Sequence, residues 1–318
     1  MRNKNMYRLS IYLIIFSLVL FSSCEPKEKV VVITVDTTLT EVSIPLTSTY
    51  RYQKFFSLDG YETVSTNEKT DWDLGIRKVN NNNYIYLNSS RAMYAALSTL
   101  SFDELTSKEE HELLWDNPSG NVDSLVIDKN AVYLIDMGYD PELNHLGYKK
   151  IKLDGETLIS ADLDGSNQFE QSISFSNDLF ITPISLSQSI SENLFPASAT
   201  WDFLFTQYTH QFDENTPYLV TGLLINPTNV EAQIDTTHAF ADIDFAVAST
   251  TSFSSDFDAV GYDWKSYSIE AASYSMHYNK SYVVKTKDGN FYKLRFTDFY
   301  DDQGNKGEIT FDIVRVVE

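Results

Sequence analysis

From Tyr52 to Val316 the chain is a succession of short runs rich in β-branched and aromatic residues, separated by Asp, Asn, Ser and Gly clusters. Such spacing restricts it to an all-β or strongly β-rich fold. The expected strands are Val30–Val35, Tyr52–Leu58, Asp71–Arg77, Tyr84–Leu87, Ala131–Ile135, Tyr148–Leu153, Trp201–Tyr208, Tyr218–Ile225, Tyr282–Thr286, Phe291–Phe296 and Glu308–Val316. In a strand, alternate residues share a face, so Tyr292, Leu294 and Phe296 point one way while Lys293 and Arg295 point the other. Twenty Tyr and twenty Phe suit strands. Only Phe102–Trp115 reads as a helix, from Phe102, Leu105, Glu109 and Leu113 at helical spacing and acids at its start; Ser185–Leu194 is a weaker candidate.

The chain repeats itself faintly. Asp71-Trp72-Asp73-Leu74, Tyr133–Met137 and Gly147–Leu153 recur in order as Thr200-Trp201-Asp202-Phe203, Tyr218–Thr221 and Phe291–Phe296. This order suggests two related sheet halves, 30–160 and 161–318, with the seam in the polar stretch after Asp154. Trp72, Trp201 and Trp264 each adjoin an aspartate; each ring can enter the core while its Asp faces water or a turn.

The N-terminus supplies an address. Arg2, Lys4 and Arg8 precede an apolar run from Leu9 to Phe21, then Ser22, Ser23 and the chain's single cysteine, Cys24. A basic start, a short apolar core and small residues at the cut make residues 1–23 an export signal. A cysteine at that boundary reads as a lipidation site, which holds the mature chain to a membrane by acyl chains rather than by a span. Residues 24–29 then form a charged tether. Removing residues 1–23 takes away three basic and no acidic residues, so the net charge moves from −21 to −24. Such a surface repels phosphate, and nucleic acid is excluded as a partner.

The catalytic inventory is thin. No nucleophile elbow, glycine-rich phosphate loop, His-Glu-x-x-His or cysteine pair occurs, and the five histidines are scattered singly, so no enzyme is expected. Tyr267, Tyr274, Met276, His277 and Tyr278 crowd together ahead of the strand from Tyr282. Imidazole, thioether and phenolate all serve as axial ligands of haem iron, and the same residues equally suit a strand whose alternate side chains pack.

The segment Tyr282–Tyr300, with its Asp288-Gly289-Asn290 turn, followed by Gly304–Ile313, resembles the closing β-meander of HmuY-family haem-binding lipoproteins of Bacteroidetes. Tyr52–Asp59 and Asp71–Ile76 resemble the front of that family. The resemblance implies an HmuY-like antiparallel β-sheet fold, a lipid anchor on the outer membrane at the cell surface, and capture of haem, free or from a haemoprotein, for a TonB-dependent receptor. Two histidines bind iron in the founding member. Their places fall here near Thr236, with His238 close by, and near Ser268, beside Tyr267. With histidine missing at the second place, the resemblance leaves Tyr267, Met276 or His277 as its substitutes. The alternative implied by that loss is a surface adhesion or glycan- or protein-binding module that keeps the fold without haem. The middle of the chain, Leu100–Leu194, has no counterpart in the resemblance.

Overall fold

The computed structural model describes residues 37–318 except 129, 191–192 and 214–215. The signal, Cys24, the tether and the strand expected at Val30–Val35 lie outside the described residues. Thr37–Glu318 forms one compact unit built almost wholly of antiparallel strands.

A five-stranded sheet has the order β1 (Thr40–Pro45), β19 (Lys306–Val316), β18 (Phe291–Tyr300), β17 (Ser281–Thr286), β14 (Val230–Asp235). A four-stranded sheet follows the order β13 (Pro217–Ile225), β12 (Phe203–Gln211), β2 (Tyr52–Ser57), β3 (Glu62–Glu68). The inner faces of the two sheets meet in the largest core, where Phe56, Phe203, Phe205 and Leu223 pack with Tyr282, Leu294, Phe296 and Phe311. Leu294 and Phe296 point inward as their alternation dictates, while Lys293 turns outward and donates to the carbonyls of Phe240 and Ile243. β1 pairs with β19 and β2 with β12, so the beginning of the described chain completes sheets built mainly from its end.

The intervening residues build a second pair of layers. One is β10 (Phe169–Ser172), β9 (Thr157–Asp162), β8 (Tyr148–Asp154), β7 (Val132–Asp136), β6 (Tyr94–Leu97); the other is β11 (Thr182–Ile184), β4 (Leu74–Val79), β5 (Asn82–Leu87). Leu74, Ile76 and Ile85 meet Tyr133, Ile135, Ile151 and Leu158 between them. A hairpin, β15 (Lys265–Ser268) with β16 (Ser273–Met276), stands apart from these sheets.

Phe102–Trp115 is not helical. Ser101 and Glu104 begin a turn, with Ser101 N–H and Oγ both donating to the Glu104 carboxylate and Leu105 N–H closing onto Ser101 O. Glu109, Glu110 and Glu112 then place negative charge at what would be the C-terminal end, against the helix dipole. Glu110 takes positive φ, and Leu114 exchanges both backbone hydrogen bonds with Ala95 instead. Ser185–Leu194 is likewise not helical where it is described, because Ser185 Oγ and Leu186 N–H are drawn onto Asp73. The one α-helix described, α1 (Phe245–Thr250), is capped by Asp244, whose side chain accepts from Val247 N–H.

The two Trp-Asp words form matching corners. Asn88, just after β5, donates its side-chain amide to the carbonyls of Lys69 and Trp72, and its N–H to Asp73 O. Asn226, just after β13, does the same to Ser198, Trp201 and Asp202. Both asparagines are fully buried, and each locks the corner at the open end of a hairpin, β4–β5 or β12–β13. Trp72, Trp201 and Trp264, the three that adjoin an aspartate, are buried as expected. Asp73 is not in water: it lies buried against Arg91 at 2.7 Å.

Near the first corner, Lys69 is 2% exposed and donates to Gln207 Oε1 at 2.8 Å. Burial, helped by the charge of Arg91 and opposed by Asp140 and Glu142, lowers its pKa to about 8. The unfolded chain therefore binds more protons between that value and 10.5, and stability rises with pH across this window by up to ~3 kcal/mol. Above about pH 10 the sign reverses, because tyrosines such as the partly buried Tyr94, raised by burial to about 12, stay protonated only in the folded state. Urea denaturation at several pH values should show this rise, and Lys69→Met should flatten it. Parallel profiles would rule Lys69 out as its source.

Candidate functional site

Asp235, the last residue of β14, pairs with Ser281, the first of β17. His238 follows that end of the sheet by three residues, and His277 precedes it by four, so the topology brings both histidines to the same end. Asp235 is the fixed point of the first loop. Its Oδ1 accepts the N–H groups of Thr237 and His238 at 2.8 and 2.9 Å, and its Oδ2 accepts from His238 Nδ1 at 2.8 Å. Burial alone would raise this carboxyl, but the hydrogen bonds from His238 and Thr237 outweigh it and hold the pKa down at about 2. A carboxylate bound to Nδ1 fixes the imidazole tautomer and leaves Nε2 with a free lone pair. His238 Nε2 has no hydrogen-bond partner among the described residues. The ring lines a cleft of about 520 Å³, with Thr236 and Thr237 on its own side and Ala246, Val247 and Thr250 of α1 on the other.

The second group sits on the β15–β16 hairpin. Lys265 opposes Met276 and Tyr267 opposes Tyr274, so these four share one face. Met276 and Tyr274 pack against the main core, whereas Tyr267 is 53% exposed with its ring 5.0 Å from that of Tyr274. His277 follows Met276 and turns to the opposite face. Its Nδ1 donates to Asp263 O at 2.9 Å and its Nε2 accepts from Ser266 Oγ at 3.1 Å, so both ring nitrogens are engaged. Tyr267 and Met276 are thus on one face, His277 on the other and His238 on a different loop; among the described residues no hydrogen bond joins any two of them.

The hairpin is held from below. Trp264 is 1% exposed, stacks on Phe296 at 4.1 Å, donates Nε1–H to Gly261 O at 3.2 Å, and accepts His277 N–H at its carbonyl. Gly261 exchanges backbone hydrogen bonds with Leu223, and a Cβ at neighbouring Gly222 would lie 2.4 Å from Gly261 O, so this approach requires glycine. Lys265 is buried with its Nζ 3.8 Å from the Trp264 ring and 4.5 Å from that of Phe299, and it donates to Thr221 O. Burial pushes this ammonium well below its ordinary pKa, against the pull of Asp263.

The sequence did not single out Asp235, Ser266 or Lys265. Asp235-Thr236-Thr237-His238 carries a usable signal, since an aspartate three residues before a histidine can bind its backbone and ring together. Nothing in sequence marks Lys265, whose burial follows from hairpin register alone. Among the described residues no group of three His, Cys, Asp or Glu side chains gathers to hold a metal ion, and no helix is long and apolar enough to cross a membrane.

The sequence model of the family described as HmuY protein matches residues 49–313. The chain belongs to the HmuY family. The match runs through the middle region, Leu100–Leu194, for which the resemblance of short words offered no counterpart. Solved structures similar to this HmuY-family chain include apo PinO from Porphyromonas gingivitis, at 9% identity, covering 89% of this chain and 99% of that one with a TM-score of 0.36. A HmuY-like protein from Bacteroides vulgatus is 13% identical, with coverage of 90% and 97% and a TM-score of 0.27. The apo HmuY analog of Tannerella forsythia is 12% identical, with 89% and 98% covered and a TM-score of 0.23. No curated protein matches the sequence.

Proposed function

We propose that this HmuY-family chain is a non-enzymatic, lipid-anchored protein of the outer membrane that captures haem for a TonB-dependent uptake system, with His238 as the iron ligand. The observation that carries this reading is the state of His238: Nδ1 is tied to Asp235, Nε2 is unpartnered, and the ring borders a 520 Å³ cleft. That is the arrangement a metal-binding imidazole requires. Haem would supply an iron that His238 Nε2 would hold. Met276 and Tyr267 would be further candidates to hold it, and His277 would first have to give up its bond to Ser266.

Haemin added to the chain beginning at Cys24 should shift the Soret band and quench Trp264 fluorescence; the absence of both changes would reject haem as the ligand. His238→Ala should weaken binding at least ~10-fold and Asp235→Ala by about the same, whereas His277→Ala should weaken it less. A spectrum unchanged in His238→Ala would reject that ligand. The anchor rests on Cys24, and Cys24→Ser should move the protein from the membrane to the soluble fraction. Retention in the membrane would reject lipidation there.

One observation favours an adhesion or glycan-binding module instead. Phe212 and Tyr218 are 55% and 62% exposed with rings 5.9 Å apart, and exposed rings of this kind stack on sugars or partner side chains. Binding on a glycan array without any haemin response would decide for it.

A further inference from the structure

On the face of β2 opposite the main core lies a separate cavity of about 90 Å³, walled by Phe55, Trp72, Phe180, Phe195, Trp201 and Phe257. Its rings brace one another edge to face: Phe55 on Trp201 at 4.9 Å, Trp72 on Phe195 at 5.4 Å and Phe180 on Phe257 at 5.2 Å. The guanidinium of Arg77 lies over the Phe180 and Phe257 rings at 4.5 and 5.1 Å and stiffens that wall. The space exceeds what a water needs, and walls of this kind offer water few partners; an apolar cavity of ~150 Å³ stays dry and takes up benzene.

Polar groups reach the cavity from Gln53, Thr206 and Gln207. Gln53 Oε1 accepts from Asn67 and Trp72, and its Nε2 donates to Thr206 Oγ1. Thr206 Oγ1 donates in turn to Gln207 O. Gln207 is 8% exposed; its Oε1 accepts from Lys69, but its Nε2 donates to no group among the described residues. Gln207 lines the cavity, and this amide donor, which no described residue engages, is free for a ligand that accepts from it.

We propose that this cavity binds a small one-ring aromatic molecule carrying a hydrogen-bond acceptor, its ring held by the aromatic walls and its acceptor by Gln207 Nε2. A tetrapyrrole is far too large for it, so the site is independent of the His238 cleft and of the haem reading.

Benzene and pyridine are the probes, titrated into the full-length chain at pH 8 by saturation-transfer NMR and by the fluorescence of Trp72 and Trp201. Both should bind in the millimolar range, with pyridine favoured ~5-fold by its hydrogen bond. Leu204→Phe, which fills the cavity from β12, should weaken both at least ~10-fold; Leu224→Phe fills it from β13 and serves if the first variant does not fold. Gln207→Glu keeps the acceptor for Lys69 and removes the amide donor, so it should abolish the preference for pyridine while leaving benzene within ~2-fold. No binding of either ring, or equal binding by a folded cavity-filled variant, overturns the site. A preference for pyridine that survives Gln207→Glu overturns the role of the amide.

Discussion

Replacing Asp73 with alanine will destabilise the protein by about 3–5 kcal/mol, because it leaves the Arg91 guanidinium buried and unpaired. Arg91 and Asp73 side chains are 3% and 8% exposed and meet at 2.7 Å. Burial already pushes the Arg91 pKa down, with Asp73 opposing it, so the charged form depends on its partner. The carboxylate also accepts Ser185 Oγ and Leu186 N–H on its second oxygen, tying the end of β11 to the corner between β4 and β5. The pair is therefore a clamp among three strands rather than an isolated bridge. Removing both charges should be milder: Asp73→Ala with Arg91→Met avoids the orphaned cation, and urea denaturation should place the double variant above the sum of the single losses. A single-variant loss below ~1 kcal/mol, or strict additivity, would show that the clamp does not hold the corner.

The matching corner shows why such features escape the sequence. Asn88 and Asn226 do the same work after Trp72-Asp73 and Trp201-Asp202, yet three residues on, Arg91 stands where the other corner has Asn229, whose side chain donates to Ser198 O and Trp201 O. The Trp-Asp words were legible because tryptophan is rare and large. The asparagines were not, since their role is set by which carbonyls come to meet them. Strands announced by aromatic and β-branched residues, such as β8, β12, β17 and β18, were readable within a few residues. The polar edge strand β3, with sequence ETVSTNE, was not, because most of its side chains face solvent and the one that is buried, Asn67, is polar, which leaves no apolar period. The helix expected at Phe102–Trp115 failed because its spacing was helical but its acids sat at both ends, and a dipole rewards them at only one.

The candidate site divides the same way. His238 and the Tyr267–Tyr278 cluster stand out by residue type, while the availability of each depends on register and on hydrogen bonds from other segments. Met276 and His277 are neighbours in sequence and face opposite ways. His238 and His277 are far apart in sequence and reach one end of a sheet because β14 pairs with β17.

Trp264→Ala should cost about 3–5 kcal/mol and loosen the β15–β16 hairpin that carries Tyr267 and Met276. The ring is 1% exposed, stacked nearly parallel on Phe296 at 4.1 Å and edge-on to Phe299 at 5.7 Å. It also covers the buried ammonium of Lys265, so alanine opens a cavity beside a group that already resists being charged. Trp264→Phe retains much of the burial and loses the indole donor to Gly261 O, a net loss of ~1 kcal/mol for that bond on top of the lost area. The backbone of Trp264 remains the acceptor for His277 N–H in both variants, so any loosening of the hairpin must come from packing. Denaturant titration reads the stability. Limited proteolysis at the exposed tip around Ile269 reads the hairpin, with cleavage expected to accelerate in Trp264→Ala much more than in Trp264→Phe. If the alanine variant loses less than ~1.5 kcal/mol and its hairpin resists cleavage like the parent, the hairpin is held by its own strand pairing and by the Tyr274 N–H donated to Tyr300 Oη, not by the tryptophan beneath it.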